Sequence, residues 1–310
     1  IWRWPRHSGD YAVLRAYVGS DGKPAALDVE PGDEAKSKNV PFRPKHHLKI
    51  ASQPLQTGDL VIVAGYPGRT TRLRTSAEVA EAVDWYYPRR ARFCQDYVAL
   101  LEQLGRDQPD VAIKGRSLER ALSNILTNTQ GMLDGLVKGG LKDEKARMER
   151  ELVAWAQTTE EHASAAAAID ALAKHYAGYS VHRDRDAANR EAVFMSTLLG
   201  AADAIVKMAE ERPKPDAQRD PDFQARNHQR LIQAQHHGQR SYDRTLDREK
   251  LTLALVRATR LPQNDRPEVL ALILGEGVAP SEEAIRAALA PMYEATQLED
   301  VEQRVALLEK

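Results

Sequence analysis

The chain has little cysteine, few aromatic residues and no excess of charge of either sign. Cys94 is the single cysteine among 310 residues, so no disulfide can form within the chain. Aromatic residues make up only 6%, and alanine and leucine dominate the second half, which favours packed helices over a large sandwich of sheets. A formal net charge of −1 lacks the basic excess of nucleic-acid-binding proteins. No run of about 18 apolar residues occurs, so we expect no membrane-spanning segment and no membrane partner.

The sequence between residues 10 and 75 has the composition of β-strands. Tyr11 to Val18 is rich in β-branched and aromatic residues and runs into a turn of glycine, serine and aspartate. Leu60 to Ala64 is an apolar run of strand length, bounded by further turn residues, and Leu48 to Ala51 is a shorter candidate. This pattern predicts a small antiparallel barrel or sandwich.

The apolar period becomes helical from Ser76 onward. Ser76 is a plausible N-cap, and Pro88 predicts a kink or break in the first helical stretch. The later periodic segments predict several further helices, among them a single helix from Asp186 to Glu211. Asp220 followed by Pro221 predicts the start of another helix.

Asp10 is the first residue that suggests chemistry. It stands at the head of an apolar strand after Gly9, which would place its carboxylate at the edge of a sheet. In a Ser-His-Asp triad the acid holds the imidazole in one tautomer and stabilises its cation, and a rigid strand end meets that need. By itself, however, an aspartate at the start of a strand is more often a turn residue.

Four segments together resemble one family of proteins. Trp2 to Asp10 (W-R-W-P-R-H-S-G-D) closely resembles the W-x-W-P-R-H-[ST]-G-D stretch of the bacterial dipeptidyl peptidases 7 and 11, which are serine exopeptidases. Gly65 to Thr70 (G-Y-P-G-R-T) matches a downstream stretch of that family. Asp84 to Arg90 resembles its W-x-Y-P segment, and Asn124 to Gly131 resembles its N-x-x-K-N-x-Q-G segment, with Thr127 in place of the lysine.

This resemblance implies a fold and a set of site residues. The fold class would be α+β: part of a chymotrypsin-like double β-barrel over residues 1–75, followed by a mainly α-helical cap domain over residues 76–310. Asp10 would be the catalytic acid of the triad. Trp2 and Asn124 would bind the free α-amino group of the substrate. Position 1 departs from the pattern, because it is Ile where the family has Asn, and an isoleucine offers no amide.

The resemblance also implies an activity, a serine exopeptidase that releases dipeptides from free N-termini of oligopeptides. We expect the triad histidine to precede residue 1 and the serine to follow residue 310, so that the chain is an internal piece whose partner is the rest of the catalytic domain. We therefore expect this piece alone to be inactive. The family further implies a periplasmic location and a homodimer.

Two other functions remain open from the residues. One is a non-catalytic helical interaction module, and the other is a trypsin-like endopeptidase. The W-R-W-P-R-H run argues against the endopeptidase, and the G-Y-P-G-R-T turn argues against the module.

No cofactor and no metal are expected. The pairs His46-His47 and His236-His237 lack the spacing of a metal site and are interpreted as solvated side chains.

Overall fold

Helices dominate the computed structural model, which describes residues 13–26, 28–29, 36–62, 71, 73–275 and 277–310. The chain divides into two units, Arg3–Arg72 and Leu73–Lys310. The α-helices of the described residues are α1 (Ser76–Glu81), α2 (Tyr87–Asp107), α3 (Pro109–Lys138), α4 (Leu141–Ala156), α5 (Ala163–Ser180), α6 (Arg183–Met195), α7 (Thr197–Glu211), α8 (His228–Arg240), α9 (Arg244–Thr259), α10 (Glu268–Leu274), α11 (Glu282–Ala295) and α12 (Val301–Glu309). Short 3₁₀ turns lie at Glu160–His162, Asp216–Gln218, Pro221–Phe223, Ala225–Asn227 and Gln263–Asp265.

The first unit contains one pair of very short strands among its described residues. Strand β1 (Tyr17–Val18) pairs antiparallel with β2 (Val40–Pro41), with Tyr17 opposite Pro41. The described residues of the predicted strands near Leu48 and Leu60 form no strand, and these two side chains are 96% and 87% exposed.

The predicted fold class is therefore wrong. In place of part of a chymotrypsin-like double β-barrel followed by an α-helical cap, the described residues hold one two-stranded sheet, and all their other regular elements are helical. The physical reason is that an apolar run of strand length becomes a strand only when neighbouring strands satisfy its backbone and cover one face. A single short strand pair supplies neither.

Helices α2 and α3 form the most closely packed pair of the second unit. Only Gln108 separates them, and it takes an extended conformation because the residue before a proline is pushed out of the helical region. Gly115 on α3 permits the close approach, since a Cβ there would lie 3.2 Å from Leu101 Cδ2 on α2. The cluster between these helices buries Cys94, and burial raises the pKa of its thiol.

Helix α9 lies at the centre of the second unit. Its residue Leu246 belongs to the cluster under α2 and α3, whereas Leu251 and Leu255 belong to a second cluster formed with α6, α7, α10 and α11. A helix buried on most sides loses the usual polar face, and α9 accordingly buries Asp247 and Lys250 as well.

The single helix predicted from Asp186 to Glu211 is in fact two helices, α6 and α7, bent by 107°. Ser196 between them is extended, and its hydroxyl accepts from the backbone N–H of Leu199, which makes it the N-cap of α7. In the described part of the chain no single helix is long and apolar enough to cross a membrane; only this bent pair meets the criteria when its two helices are counted together.

The predicted kink at Pro88 is present as a change of helix type. Ala82–Tyr86 forms a π-helix between α1 and α2, in which the N–H of Tyr87 donates to the carbonyl of Ala82. Pro88 has no N–H for the carbonyl of Asp84, and its ring would clash with that carbonyl in a regular α-turn. The wider π-turn removes the conflict. The N-cap of α1 is Thr75 rather than Ser76, in a capping box with Glu78.

Candidate functional site

Asn124 is the predicted site residue that the structure describes. It lies half-buried on α3, between the buried residues Leu122 and Thr129. Among the described residues no hydrogen-bond partner of its side-chain amide is found. Asn128 lies one turn further along the same helix face. Within the described part of the chain, the amide oxygen of Asn124 is therefore free to accept from a cationic donor.

Asp10 and Trp2 lie outside the residues that the structure describes. Their distances from Asn124 and from one another are not part of the described geometry, so their roles stay predictions. The positioning of Asn124 follows from α3, since this 30-residue helix is held by α2 along its first half.

Two adjoining clefts lie on the second unit, and α3 lines only the second of them. The first, of about 360 Å³, is lined mainly by charged side chains of α2, α6 and α9. The second, of about 440 Å³, is mostly apolar and includes Leu118, Leu122 and Ile125 of α3, close in sequence to Asn124. Both clefts are lined by Trp85, Arg89 and Glu191, which form their common wall.

Trp85 is held at this wall by contacts on its edge and its faces. Its indole Nε1 donates to Asp184 Oδ1 at 2.8 Å, which fixes the ring plane. The guanidinium groups of Arg183 and Arg89 lie 4.9 and 5.8 Å from the ring centre, within the range of cation–π attraction. Tyr179 contacts the ring edge-on, with 6.4 Å between ring centres. The π-turn that carries Trp85 is thus locked against α6, and the ring is a rigid surface.

Glu191 joins three helices beneath this wall. Its Oε2 accepts from Arg89 Nη2 at 3.0 Å on α2, and its Oε1 accepts from Arg257 Nε at 2.6 Å on α9. The hydroxyl of Tyr97 donates to Oε1 as well, at 3.2 Å. Glu191 is only 6% exposed, so its charge requires these partners. Arg257 also forms an ion pair with Asp96.

The protonation of this cluster is set by burial and by neighbouring charge. Burial lowers the pKa of Arg89, and Glu191 opposes that effect while Arg257 and Arg190 reinforce it. Burial also acts to lower the pKa of Arg257, but Glu191 and Asp96 raise it above its ordinary value. The cluster therefore keeps its ion pairs, and it is a structural support for the clefts more than a source of protons.

Tyr97 provides a test of the cluster at alkaline pH. Burial, and then the negative charge of Glu191, raise the pKa of Tyr97 above its ordinary value of about 10. The unfolded chain loses this proton near pH ~10 while the folded protein keeps it, so the stabilisation is complete below that pH and is lost as the pH rises toward the folded pKa. The free energy of unfolding, measured by urea titration at each pH, should therefore fall with rising pH above pH ~10. We expect this slope to be smaller in Tyr97→Phe by about 1.4 kcal/mol per pH unit, because phenylalanine has no proton to lose. An equal slope for the variant and the unaltered protein would contradict this assignment.

No metal centre is found in the part of the chain that the structure describes, since no cluster there brings together three histidine, cysteine, aspartate or glutamate side chains. His236 and His237 are exposed on α8, and His46 and His47 are exposed in the first unit. These positions agree with their interpretation as solvated side chains.

Sequence reasoning missed the cluster around Glu191. The stretch from Arg183 to Glu191 carries alternating charges, which is typical of a solvated helix face. The one local signal near this cluster is the aromatic stretch that begins at Trp85. The cluster depends on Arg257, which lies 66 residues beyond Glu191, and no local pattern links the two.

The fold resembles solved structures of one kind. The crystal structure of Porphyromonas endodontalis DPP11 in complex with the dipeptide Arg-Glu aligns with 99% of this chain and 47% of its own, at a TM-score of 0.57 and 22% identity. The same protein without the dipeptide aligns at a TM-score of 0.53. At this level of identity the likeness concerns the fold.

The sequence comparisons define the family. The model of the family Peptidase S46 matches residues 1–310, so the chain belongs to that peptidase family. It is 31% identical over 323 residues to an Asp/Glu-specific dipeptidyl-peptidase of Shewanella putrefaciens, an alignment covering 99% of this chain and 40% of the relative. It is also 31% identical over 176 residues to a dipeptidyl-peptidase 7 of Capnocytophaga gingivalis, covering 56% of this chain and 23% of the relative. The chain therefore spans less than half the length of these relatives.

Proposed function

We propose that the protein is a serine dipeptidyl peptidase that releases dipeptides from the free N-termini of oligopeptides. The observation that carries this proposal is the family match over residues 1–310, together with relatives named as dipeptidyl peptidases along nearly the whole chain. Cleavage would proceed through an acyl-enzyme. The general base and the nucleophile would be a histidine and a serine on polypeptide outside this chain, with Asp10 orienting the histidine.

Recognition of the substrate N-terminus requires acceptor groups at a fixed distance from the nucleophile. An ammonium group is a donor only, and Asn124 presents an amide oxygen with no partner among the described residues. Asn124 would therefore bind the α-amino group of the substrate, assisted by Trp2. The free amide supports this role because no donor among the described residues competes with the substrate for its oxygen.

Replacing Asn124 by alanine is expected to lower kcat/KM for a free-amino dipeptidyl substrate about 5- to 150-fold. The range corresponds to leaving a donor of the bound substrate without its acceptor, about 1–3 kcal/mol. The measurement is dye release from such a substrate by the intact protein. The matched control is Ser123→Ala on the adjacent position of α3, which should remain within about twofold because surface changes away from a site usually cost little.

An N-acetylated substrate separates the candidate functions. A dipeptidyl exopeptidase cleaves the free substrate and not the acetylated one, whereas an endopeptidase cleaves both. A helical interaction module cleaves neither. Equal kcat/KM for the Asn124 variant and the unaltered protein would show that Asn124 does not bind the substrate. The comparison of free and acetylated substrates would still test the exopeptidase proposal.

We further propose that the protein acts in the periplasm as a homodimer. Both properties follow from the family resemblance. Fractionation of cells that express the intact protein tests the location, and light scattering of the purified protein tests the dimer. Activity confined to the cytoplasmic fraction would contradict the first, and a monomeric mass would contradict the second.

A further inference from the structure

The two clefts around Trp85 carry more positive charge than their own carboxylates neutralise. The side chains lining them include six arginines, although the chain as a whole is nearly neutral. The six are Arg89, Arg90, Arg92, Arg190, Arg257 and Arg260. Arginines clustered in this way create a local positive potential, which attracts anions.

The four carboxylates that line the clefts are already engaged. Asp84 accepts from Lys142 Nζ at 2.5 Å, and Asp184 accepts from the indole of Trp85. Asp96 pairs with Arg257, and Glu191 pairs with both Arg89 and Arg257. Within the described residues, none of these four carboxylates forms an ion pair with the remaining guanidinium groups.

Four of the arginines have no carboxylate partner within the described residues: Arg90, Arg92, Arg190 and Arg260. Arg90 donates instead to the hydroxyl of Tyr86, and Arg92 donates only a long bond of 3.4 Å to the carbonyl of Pro88. Arg92 and Arg260 both lie at the charged cleft and are exposed, so their guanidinium groups can contact a ligand.

The second cleft supplies an apolar surface directly beside this charge. Phe93, Leu118 and Ile125 line it, and Phe194 at the same cleft is 73% exposed. An aromatic ring of that exposure is available for contact with a ligand. The combined size of the two clefts lies in the range of known ligand sites.

We propose that the paired clefts form a binding site for an acidic peptide segment. Carboxylates of the peptide bind the guanidinium groups of Arg92 and Arg260, and a neighbouring apolar side chain occupies the cleft beside Phe194. Planar guanidinium forks match carboxylates in geometry as well as charge. The inference goes beyond the proposed function, because binding at these clefts requires no free N-terminus and no hydrolysis.

The test is direct binding of a blocked peptide to the intact protein. The probe is Gly-Asp-Phe-Glu-Gly with fluorescein attached to its N-terminal amine and an amide at its C-terminus, so that free-amine recognition and hydrolysis do not contribute. Fluorescence anisotropy gives Kd. We expect the double variant Arg92→Gln with Arg260→Gln to raise Kd about 2- to 30-fold, the effect of two exposed charge pairs. We expect Phe194→Ala to raise Kd for this peptide. The same variant should leave Kd unchanged for a peptide in which Gly replaces Phe.

The matched control is the double variant Arg106→Gln with Arg248→Gln. These arginines lie on α2 and α9, away from the clefts, and Kd should stay within about twofold. A peptide with Asn and Gln in place of its acidic residues should bind as weakly to the unaltered protein as the acidic peptide binds to the cleft variant.

Three outcomes would overturn the inference. The first is no binding of the acidic peptide by the intact protein, and the second is an equal loss in the cleft and control variants. The third is binding of phosphatidylglycerol vesicles without binding of the peptide, which would point to a membrane surface. Hydrolysis of a short free-amino substrate, measured in parallel on the unaltered protein, reports on the proposed function separately, so either can fail without the other.

Discussion

Replacing Asp10 by asparagine in the intact protein is expected to lower kcat about 10⁴-fold while the fold is retained. An amide in place of the triad carboxylate holds the histidine in the wrong tautomer, and a loss of that order is known for triads altered in this way. The substitution is nearly isosteric and removes one charge. The measurement is dye release from a free-amino dipeptidyl substrate, with thermal unfolding as the check on folding.

Asp21→Asn is the matched control for this prediction. Asp21 follows β1 and is exposed, and its carboxylate accepts from the N–H of Lys23 in a turn. It should keep kcat within about twofold. A fall of less than about tenfold in the Asp10 variant would remove Asp10 from the triad. A fall accompanied by a large loss of thermal stability would call for the Asp10→Glu variant, whose activity should also be low because the carboxylate is displaced.

Replacing Asp247 by alanine is expected to destabilise the protein by about 3–5 kcal/mol. Asp247 is fully buried on α9. One oxygen accepts from the hydroxyls of Ser196 and Tyr293, both at 2.8 Å, and the other accepts from the N–H of Thr197 at 2.5 Å. Lys250 Nζ lies 3.6 Å away, and burial lowers the pKa of that lysine. Truncation leaves a buried cation without its carboxylate, a cost of that size for broken buried pairs.

Two variants define the origin of this effect. Asp247→Asn keeps the shape and one acceptor but loses the charge, so we expect an intermediate loss. Asp203→Ala on α7 removes an exposed pair with Lys207 and should change the free energy of unfolding by less than about 1 kcal/mol. Chemical denaturation measures the free energy of unfolding of Asp247→Ala, Asp247→Asn and Asp203→Ala. If Asp247→Ala costs no more than Asp203→Ala, the carboxylate is not what holds the start of α7.

The helices were the most predictable part of the fold. The helical period predicted from Ser76 onward is confirmed in α3 (Pro109–Lys138) and in α4 (Leu141–Ala156). In both, apolar residues recur with the helical period over many turns, and Gly139 with Gly140 separates the two helices. Such signals are local, so they can be read from neighbouring residues alone.

The errors arose where a distant segment decides the outcome. The bend between α6 and α7 depends on Ser196, which is an ordinary serine by sequence, and on Asp247, 51 residues later. The wrong barrel had the same origin, because a strand needs partners that its own residues do not specify.

The amino-acid sequence by itself determined the family, the helical periods and the position of Asn124 on a long helix. These properties depend on residue identity and on spacing along a few turns. Only the tertiary structure decided that Glu191 and Asp247 are buried. It also decided that four arginines of the clefts have no carboxylate partner within the described residues. Charged residues in a helical sequence look solvated until the partners that surround them are known, since burial of a charge is stable only where distant segments supply its hydrogen bonds.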